Sequence, residues 1–164
     1  QAFKVLKRAN LQLFIDWALQ EVSNGKYSSS LIQLAALTPP YTPFDVNDLL
    51  NNTLTEIGVK ILSDSDAINA FVYELLGKYD NEEIDSESLL HLLNDLHIDS
   101  LGLRVLSLTD FYLLNWTIKD FEYGNISTHS PEIKGVDEVY SILQKKINEW
   151  KFEYQTLFSN ESRE

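Results

Sequence analysis

The chain of 164 residues carries 25 acidic and 13 basic residues, for a formal net charge of −12, and it has no cysteine. A strongly negative chain repels nucleic acid and acidic membranes, and a chain without cysteine has neither disulfides nor thiolate chemistry. The hydrophobic fraction of 44% is that of a globular protein, and a length of 164 residues fits one domain, so we predict a single domain over residues 1–164. No apolar run reaches the roughly 18 residues of a membrane span, so we expect no membrane partner and a cytoplasmic location.

Apolar residues recur with a helical period along most of the chain, and this pattern predicts an all-α fold. We expect a bundle of six to seven helices that ends in a long C-terminal helix. Between the fifth and sixth helices, residues 98–108 are predicted as either a short strand or a buried turn. The expected helices cover about residues 10–23, 29–37, 43–57, 64–79, 86–97, 109–123 and 136–157.

Helix boundaries are marked by residues with capping chemistry. The third helix is expected to begin with Thr42 at the N-cap, Pro43 at N1 and Asp45 at N3, an arrangement that resembles a capping box. Glycine ends helices by adopting a left-handed conformation, so Gly25 and Gly58 are predicted to end the first and third. The predicted core residues are Leu11, Phe14, Ile15, Leu34, Leu50, Leu54, Phe71, Leu75, Leu93, Leu114, Ile118, Leu143, Ile147 and Trp150.

The last helix, 136–157, carries apolar residues in alternating steps of four and three. Such a heptad stripe is typical either of a long helix packed across its own bundle or of a homo-oligomer that associates through this helix. We favour the first interpretation and leave the second open. The stripe residues are Val136, Tyr140, Leu143, Ile147, Trp150, Tyr154 and Leu157.

Acidic residues concentrate in the middle of the chain. Residues 61–100 hold ten acids and one base, Lys78, for a local net charge of −9. Its densest part is the loop before the fifth helix and the polar side of that helix, which we predict to attract a basic protein partner. The alternative interpretation is a solvated face that keeps the protein soluble. The predicted partner-binding residues are Asp80, Glu82, Glu83, Asp85, Glu87 and Asp95.

No motif indicates catalysis or metal binding. Glu87, His91 and Asp95 are spaced four apart and share one side of the fifth helix, as metal ligands do. That side is opposite the leucines, so we interpret it as a polar outer face and predict no metal, no cofactor and no catalytic residue. Ser127 and His129 lie in one loop, but the G-x-S-x-G scaffold of a serine nucleophile is absent.

A run in the first third of the chain forms the pattern G-x-x-S-x-x-L-x-x-L-A-x-L. Its residues are Gly25, Ser28, Leu31, Leu34, Ala35 and Leu37, and a proline-containing loop follows them. The pattern, with its surroundings over about residues 14–58, resembles a group of small uncharacterised bacterial helical proteins that share this signature. Its residues are helix caps and core leucines, so the signature is a packing signature, and the resemblance implies a bacterial source and no catalytic activity.

Three classes of function fit these features differently. The first is an acidic protein-binding domain such as an immunity protein or antitoxin that neutralises a basic toxin domain, favoured by the concentrated charge and the absence of catalytic motifs. The second is an accessory or scaffold subunit with an unrelated partner. The third is an enzyme that uses carboxylates and a metal, disfavoured because the Glu-x-x-His pairs of helical metalloenzymes are absent. We predict a binding protein and no enzyme.

Overall fold

The computed structural model describes residues 1–2, 10–101 and 105–158, without the side chains of residues 106 and 155–158. These residues form seven α-helices and no strand, which confirms the all-α prediction, and the long C-terminal helix is confirmed as well. No helix in this part of the chain is both long and apolar enough to cross a membrane. The helices are α1 (Leu11–Ser23), α2 (Ser29–Ala35), α3 (Pro43–Glu56), α4 (Asp64–Asp80), α5 (Ser86–Asp99), α6 (Thr109–Glu122) and α7 (Val136–Phe158).

Contacts group the chain into two compact units, Gln1–Ser63 and Asp64–Glu164, which we call unit 1 and unit 2. Unit 1 contains α1, α2 and α3, and each of these helices packs against the other two. In unit 2 each helix from α4 to α7 packs against the next, and α7 also packs against α4, as in a four-helix bundle. The single domain that the length predicts remains a prediction.

Unit 1 is held together by an apolar cluster where its three helices meet. Ile15 and Ala18 come from α1, Leu31 and Leu34 from α2, and Leu50 from α3, and all five are buried. Fully burying a leucine or isoleucine contributes roughly 1.5–3 kcal/mol, so these side chains supply much of the free energy that stabilises the unit. Leu31 and Leu34 belong to the sequence signature, so the signature marks residues that pack the helices together.

The predicted caps of α3 are confirmed. The Thr42 hydroxyl accepts a hydrogen bond from the Asp45 N–H at 3.2 Å, and an Asp45 carboxylate oxygen accepts one from the Thr42 N–H at 2.9 Å. These bonds complete a capping box after which Pro43 begins the helix. Gly25 and Gly58 have φ angles of 85° and 75° just after α1 and α3, the left-handed conformation that glycine adopts without strain.

Most of the predicted core is confirmed. Eleven of the fourteen residues are buried, and Leu11, Phe14 and Phe71 are half-buried. Helical spacing also assigns Leu19 and Leu92 to the inward faces of α1 and α5, and this prediction is wrong, because the two side chains are 48% and 41% exposed. The apolar arcs of α1 and α5 are wider than the surface that their described neighbours cover.

The structure also decides the form of residues 98–108, which the sequence left open as a short strand or a buried turn. Within the described part of 98–108 there is no strand: α5 continues to Asp99, and Leu106–Leu108 form a 3-10 turn beside the buried side chain of Val105. Residues 102–104 lie outside the described residues.

On α7, three members of the heptad stripe are buried within unit 2, as expected for packing inside its own bundle. They are Leu143, Ile147 and Trp150. Self-association remains a prediction, and the side chain of Leu157 lies outside the description.

Candidate functional site

The candidate site consists of six acidic residues of unit 2, which we call the acidic surface. All six are exposed. Unit 1 holds five acidic and five basic residues, whereas unit 2 holds twenty acidic and eight basic residues, so the entire net charge of −12 belongs to unit 2. The acidic surface is Asp80, Glu82, Glu83, Asp85, Glu87 and Asp95.

The end of α4 brings the first three of these acids together. The Glu83 N–H donates a hydrogen bond to the Lys78 carbonyl at 2.9 Å, and the Glu82 N–H donates one to the Tyr79 carbonyl at 3.0 Å. This pair of bonds is the Schellman motif, which reverses the chain immediately after a helix. Asp80, Glu82 and Glu83 therefore lie within one short, exposed turn.

Glu82 occupies the position where the other Schellman motifs have glycine. The same motif ends α1, α3 and α6, with Gly25, Gly58 and Gly124 at φ angles of 85°, 75° and 73°. Glu82 has a φ of 59°, and it is the one non-glycine residue with a positive φ in the described part of the chain. A side chain in this conformation costs roughly 1–2 kcal/mol relative to glycine. The acidic surface thus includes a carboxylate held at a strained backbone position.

The start of α5 fixes the next two acids. Asp85 is the N-cap residue, and its carboxylate accepts a hydrogen bond from the Ser88 N–H at 2.7 Å. This bond, with a smaller contribution from the Ser88 hydroxyl, lowers the pKa of Asp85 and keeps it ionised. Glu87 lies in the first turn of α5, where the helix dipole favours negative charge. Both acids therefore have a helix-stabilising role that is independent of any partner.

Few cations neutralise the acidic surface. Asp80 forms an ion pair with Lys151 of α7. Glu87 lies 3.8 Å from the imidazole of His91, which carries charge only when protonated. The nearby Lys78 is paired with Glu74 at 3.0 Å, outside the surface. Glu82, Glu83, Asp85 and Asp95 have no lysine or arginine partner among the described residues.

An open cleft of about 530 Å³ lies in the acidic surface. Asp80, Glu82 and Asp85 line it, and the Tyr79 hydroxyl forms part of its wall. This hydroxyl lies 3.2 Å from the Ser86 hydroxyl and donates a hydrogen bond to the Gln144 amide oxygen at 3.3 Å. The cleft combines three carboxylates with a hydroxyl and an amide, which suits the head of a lysine or arginine side chain.

The remaining three acids lie outside the cleft. Glu83 accepts a weak hydrogen bond from the Asn81 amide at 3.4 Å, and Asp95 accepts one from the Asn94 amide at 3.2 Å. Glu87 and Asp95 are two turns apart on the exposed side of α5, as their spacing predicts. The cleft therefore concentrates half of the predicted residues, and the other half extends the charge along α5.

The other sequence candidates have a simpler structural role. No group of three or more histidine, aspartate or glutamate side chains in the described residues is arranged to hold a metal ion, and this includes Glu87, His91 and Asp95. The Ser127 hydroxyl is buried and donates a hydrogen bond to the Thr117 hydroxyl at 3.1 Å, while His129 is exposed. Ser127 thus anchors the loop between α6 and α7.

A second cavity of unit 2, about 260 Å³ in volume, lies between α6 and α7. Among the described residues that line it, the one cation is Lys146, whose ammonium contacts Asp110 at 2.9 Å and Glu149 at 3.1 Å. Hydrogen bonds to Asp110 and then to Glu149 raise the pKa of Lys146. Because both carboxylates already neutralise this lysine, the cavity offers no free cation to an anionic ligand.

Sequence reasoning missed three contributors to the cleft and its surroundings: Tyr79, Gln144 and Lys151. Tyr79 belongs to α4, whereas the other two lie on α7, which begins more than fifty residues later. A polar contact between residues so far apart has no local sequence signal, because it depends on how α4 packs against α7.

No protein-family model, no curated protein and no solved structure matches this chain. The acidic surface must therefore be interpreted from its own residues and from the contacts that they make.

Proposed function

We propose that this chain is a protein-binding domain that uses the acidic surface to associate with a basic protein partner. Its specific form is neutralisation of a basic toxin domain by an immunity protein or antitoxin in the cytoplasm. The observation that carries the proposal is a set of six exposed carboxylates of which only Asp80 pairs with a lysine, Lys151, among the described residues. Such a field accelerates association with an oppositely charged surface, often by 10-fold to 1,000-fold.

Two features favour binding over a simple role in solubility. First, the open cleft places the carboxylates of Asp80, Glu82 and Asp85 around one recess, where a single basic side chain can contact more than one of them. Hydrogen bonds between charged groups are roughly twice as strong as those between neutral groups. Second, Glu82 retains a carboxylate where glycine would relieve backbone strain. A residue needed only for solubility has no reason to occupy that position, since any exposed site would serve.

The test begins with capture of binding proteins from the native host on the immobilised chain, followed by their identification by mass spectrometry. The proposal expects one basic protein that inhibits growth when it is expressed alone and is harmless when co-expressed with this chain. A neutral or acidic partner, or a multi-protein assembly, would instead support an accessory or scaffold subunit. A partner of this second kind would contradict the proposal.

Association kinetics with the captured protein then test the surface itself. We would replace Glu82, Glu83 and Asp95 by lysine and leave Asp85 in place because it caps α5. At low ionic strength the association rate should fall by about tenfold or more, and its dependence on salt should flatten. A matched variant with lysine at Asp16, Asp48 and Glu132, three exposed acids elsewhere in the chain, has the same net charge.

The matched variant separates a local effect from a general one. If it slows association as much as the surface variant, the acids act only through total charge and the proposed surface is wrong. If neither variant changes the rate across salt concentrations, the acids form a solubility face. Circular dichroism of both variants checks that the helices are intact.

A further inference from the structure

Asn24 and Gly25 form the one Asn-Gly step in the sequence, and they lie at the end of α1. Asn-Gly steps are prone to deamidation, because glycine has no side chain to hinder attack by its own backbone nitrogen. We propose that Asn24 is a deamidation site whose reactivity is controlled by the Schellman turn of α1. While the hydrogen bonds of this turn are formed, Asn24 is protected from deamidation; when they break, deamidation can proceed. The inference concerns unit 1 and is independent of the proposed function.

The reaction needs only water. The backbone nitrogen of Gly25 loses its proton and attacks the side-chain carbonyl carbon, Cγ, of Asn24. A new N–Cγ bond forms, the bond from Cγ to Nδ2 breaks, and ammonia leaves with the proton. Water then opens the resulting five-membered imide at either carbonyl. One opening gives aspartate, and the other gives isoaspartate, in which the backbone runs through the side chain.

The geometry of the turn opposes the first step. The Gly25 N–H donates a hydrogen bond to the Val22 carbonyl at 3.0 Å. This bond opposes loss of the proton from the nitrogen that must attack Cγ. Asn24 has φ −80° and ψ 5°, a conformation that turns the Gly25 nitrogen away from its own side chain. The Lys26 N–H donates a second bond to the Glu21 carbonyl at 3.0 Å. Both bonds must break before the ring can close.

The turn is nevertheless placed where opening is easy. Asn24 and Gly25 are exposed, and no neighbour lies within 4 Å of the position that a Gly25 Cβ would take. Helix ends with few packing contacts open locally at a small fraction of the cost of global unfolding. We therefore expect slow conversion in the folded chain. The isoaspartate product lengthens the backbone at the point where the two Schellman bonds must close.

The experiment compares the intact chain in mildly alkaline buffer, folded and in concentrated urea. Peptide mass spectrometry and an isoaspartate methyltransferase assay measure conversion at Asn24. The unfolded chain should convert at least about tenfold faster, since a reaction of a rarely opened state follows the population of that state. Equal rates in the two conditions would show that the turn gives no protection. A lack of product in urea would show that Asn24 is not a site.

Two variants test the chemistry and the control separately. Asn24→Gln should give no detectable product in either condition, because glutamine closes its ring far more slowly. Lys26→Pro removes the N–H that bonds to Glu21 and disfavours the left-handed conformation of Gly25 before a proline. Its folded-state rate should rise towards the unfolded rate while the rate in urea stays unchanged. An unaltered folded-state rate in Lys26→Pro would overturn the role of the turn.

Discussion

The two units of this chain use charge in opposite ways. Unit 1 has as many basic as acidic residues. Two of its acids accept hydrogen bonds at the starts of helices: Asp45 from the Thr42 N–H at the start of α3, and Glu56 from the Ser30 N–H at the start of α2. Unit 2 carries the whole net charge, and most carboxylates of its acidic surface have no cationic partner among the described residues. In unit 1 these two acids serve the fold. The surplus in unit 2 exceeds what its fold uses, and this difference favours a role in binding.

The helix ends show the same contrast. In unit 1 the Schellman motifs after α1 and α3 have glycine at the left-handed position, Gly25 and Gly58. In unit 2 the motif after α6 has Gly124, but the motif after α4 has Glu82. The exception therefore coincides with the acidic surface. Because the left-handed position of this motif holds glycine at three helix ends and glutamate at one, substitutions there can separate the effect of backbone strain from that of surface charge.

The largest expected effect comes from the apolar cores. Leu34→Ala in unit 1 and Leu143→Ala in unit 2 each remove a fully buried side chain and should destabilise the protein by about 2–5 kcal/mol in urea denaturation. Amide hydrogen exchange should show the greater loss of protection in the unit that carries the substitution. An equal loss of amide protection in both units would show that the two units unfold together. They would then differ in charge but not in stability.

Glu82→Gly should stabilise unit 2 by about 1 kcal/mol, because it relieves the strain of a side chain at a φ of 59°. The same change should slow association with the basic partner, since a carboxylate of the cleft is lost. Gly124→Ala is the matched control. It adds a side chain at a φ of 73° with open space around it, and should cost about 1 kcal/mol without an effect on association. Faster or unchanged association of Glu82→Gly would remove Glu82 from the binding surface.

The smallest effect concerns pH and unit 1. Hydrogen bonds from the Ser28 hydroxyl, then from the Ser30 N–H and hydroxyl, lower the pKa of Glu56 below its ordinary value of 4.5. A lowered pKa means that the stabilisation is complete above 4.5 and is lost as the pH falls through the value in the folded state. Because Glu56 is exposed, solvent screens these bonds and the effect should be small.

Glu56→Gln should therefore reduce the loss of unit 1 stability between pH 5 and pH 3, a window that begins just above the ordinary pKa of 4.5 and extends below it because the pKa in the folded state is lowered. Amide exchange at Ser30, whose N–H donates to Glu56 at 2.8 Å, is the direct measurement. An identical acid profile in the variant would show that other carboxylates dominate the acid response of unit 1. Asp45, whose pKa is lowered by Thr42, is the first alternative to examine.

The sequence by itself determined the features that depend on neighbours along the chain. The helical period identified the seven helices, because a buried face must recur with each turn. Local chemistry identified the capping box of Thr42 and Asp45 and the glycines that end α1 and α3, since these bonds span only a few residues. The exposure of Glu87 and Asp95 followed from their position opposite the leucines of α5, and that of the other four acids from the polar loop between two helices.

Tertiary structure decided everything that depends on which surface a neighbour covers. Leu19 and Leu92 have the period of inward residues yet remain exposed, because the described neighbouring helices leave that part of each apolar arc uncovered. The bond from Ser30 to Glu56 joins residues 26 positions apart, and the pair of Asp80 with Lys151 joins residues 71 apart. The left-handed Glu82 is also beyond sequence analysis, since glycine is the signal for that conformation. Such contacts arise only when helices distant in sequence are brought together by burial of their apolar faces.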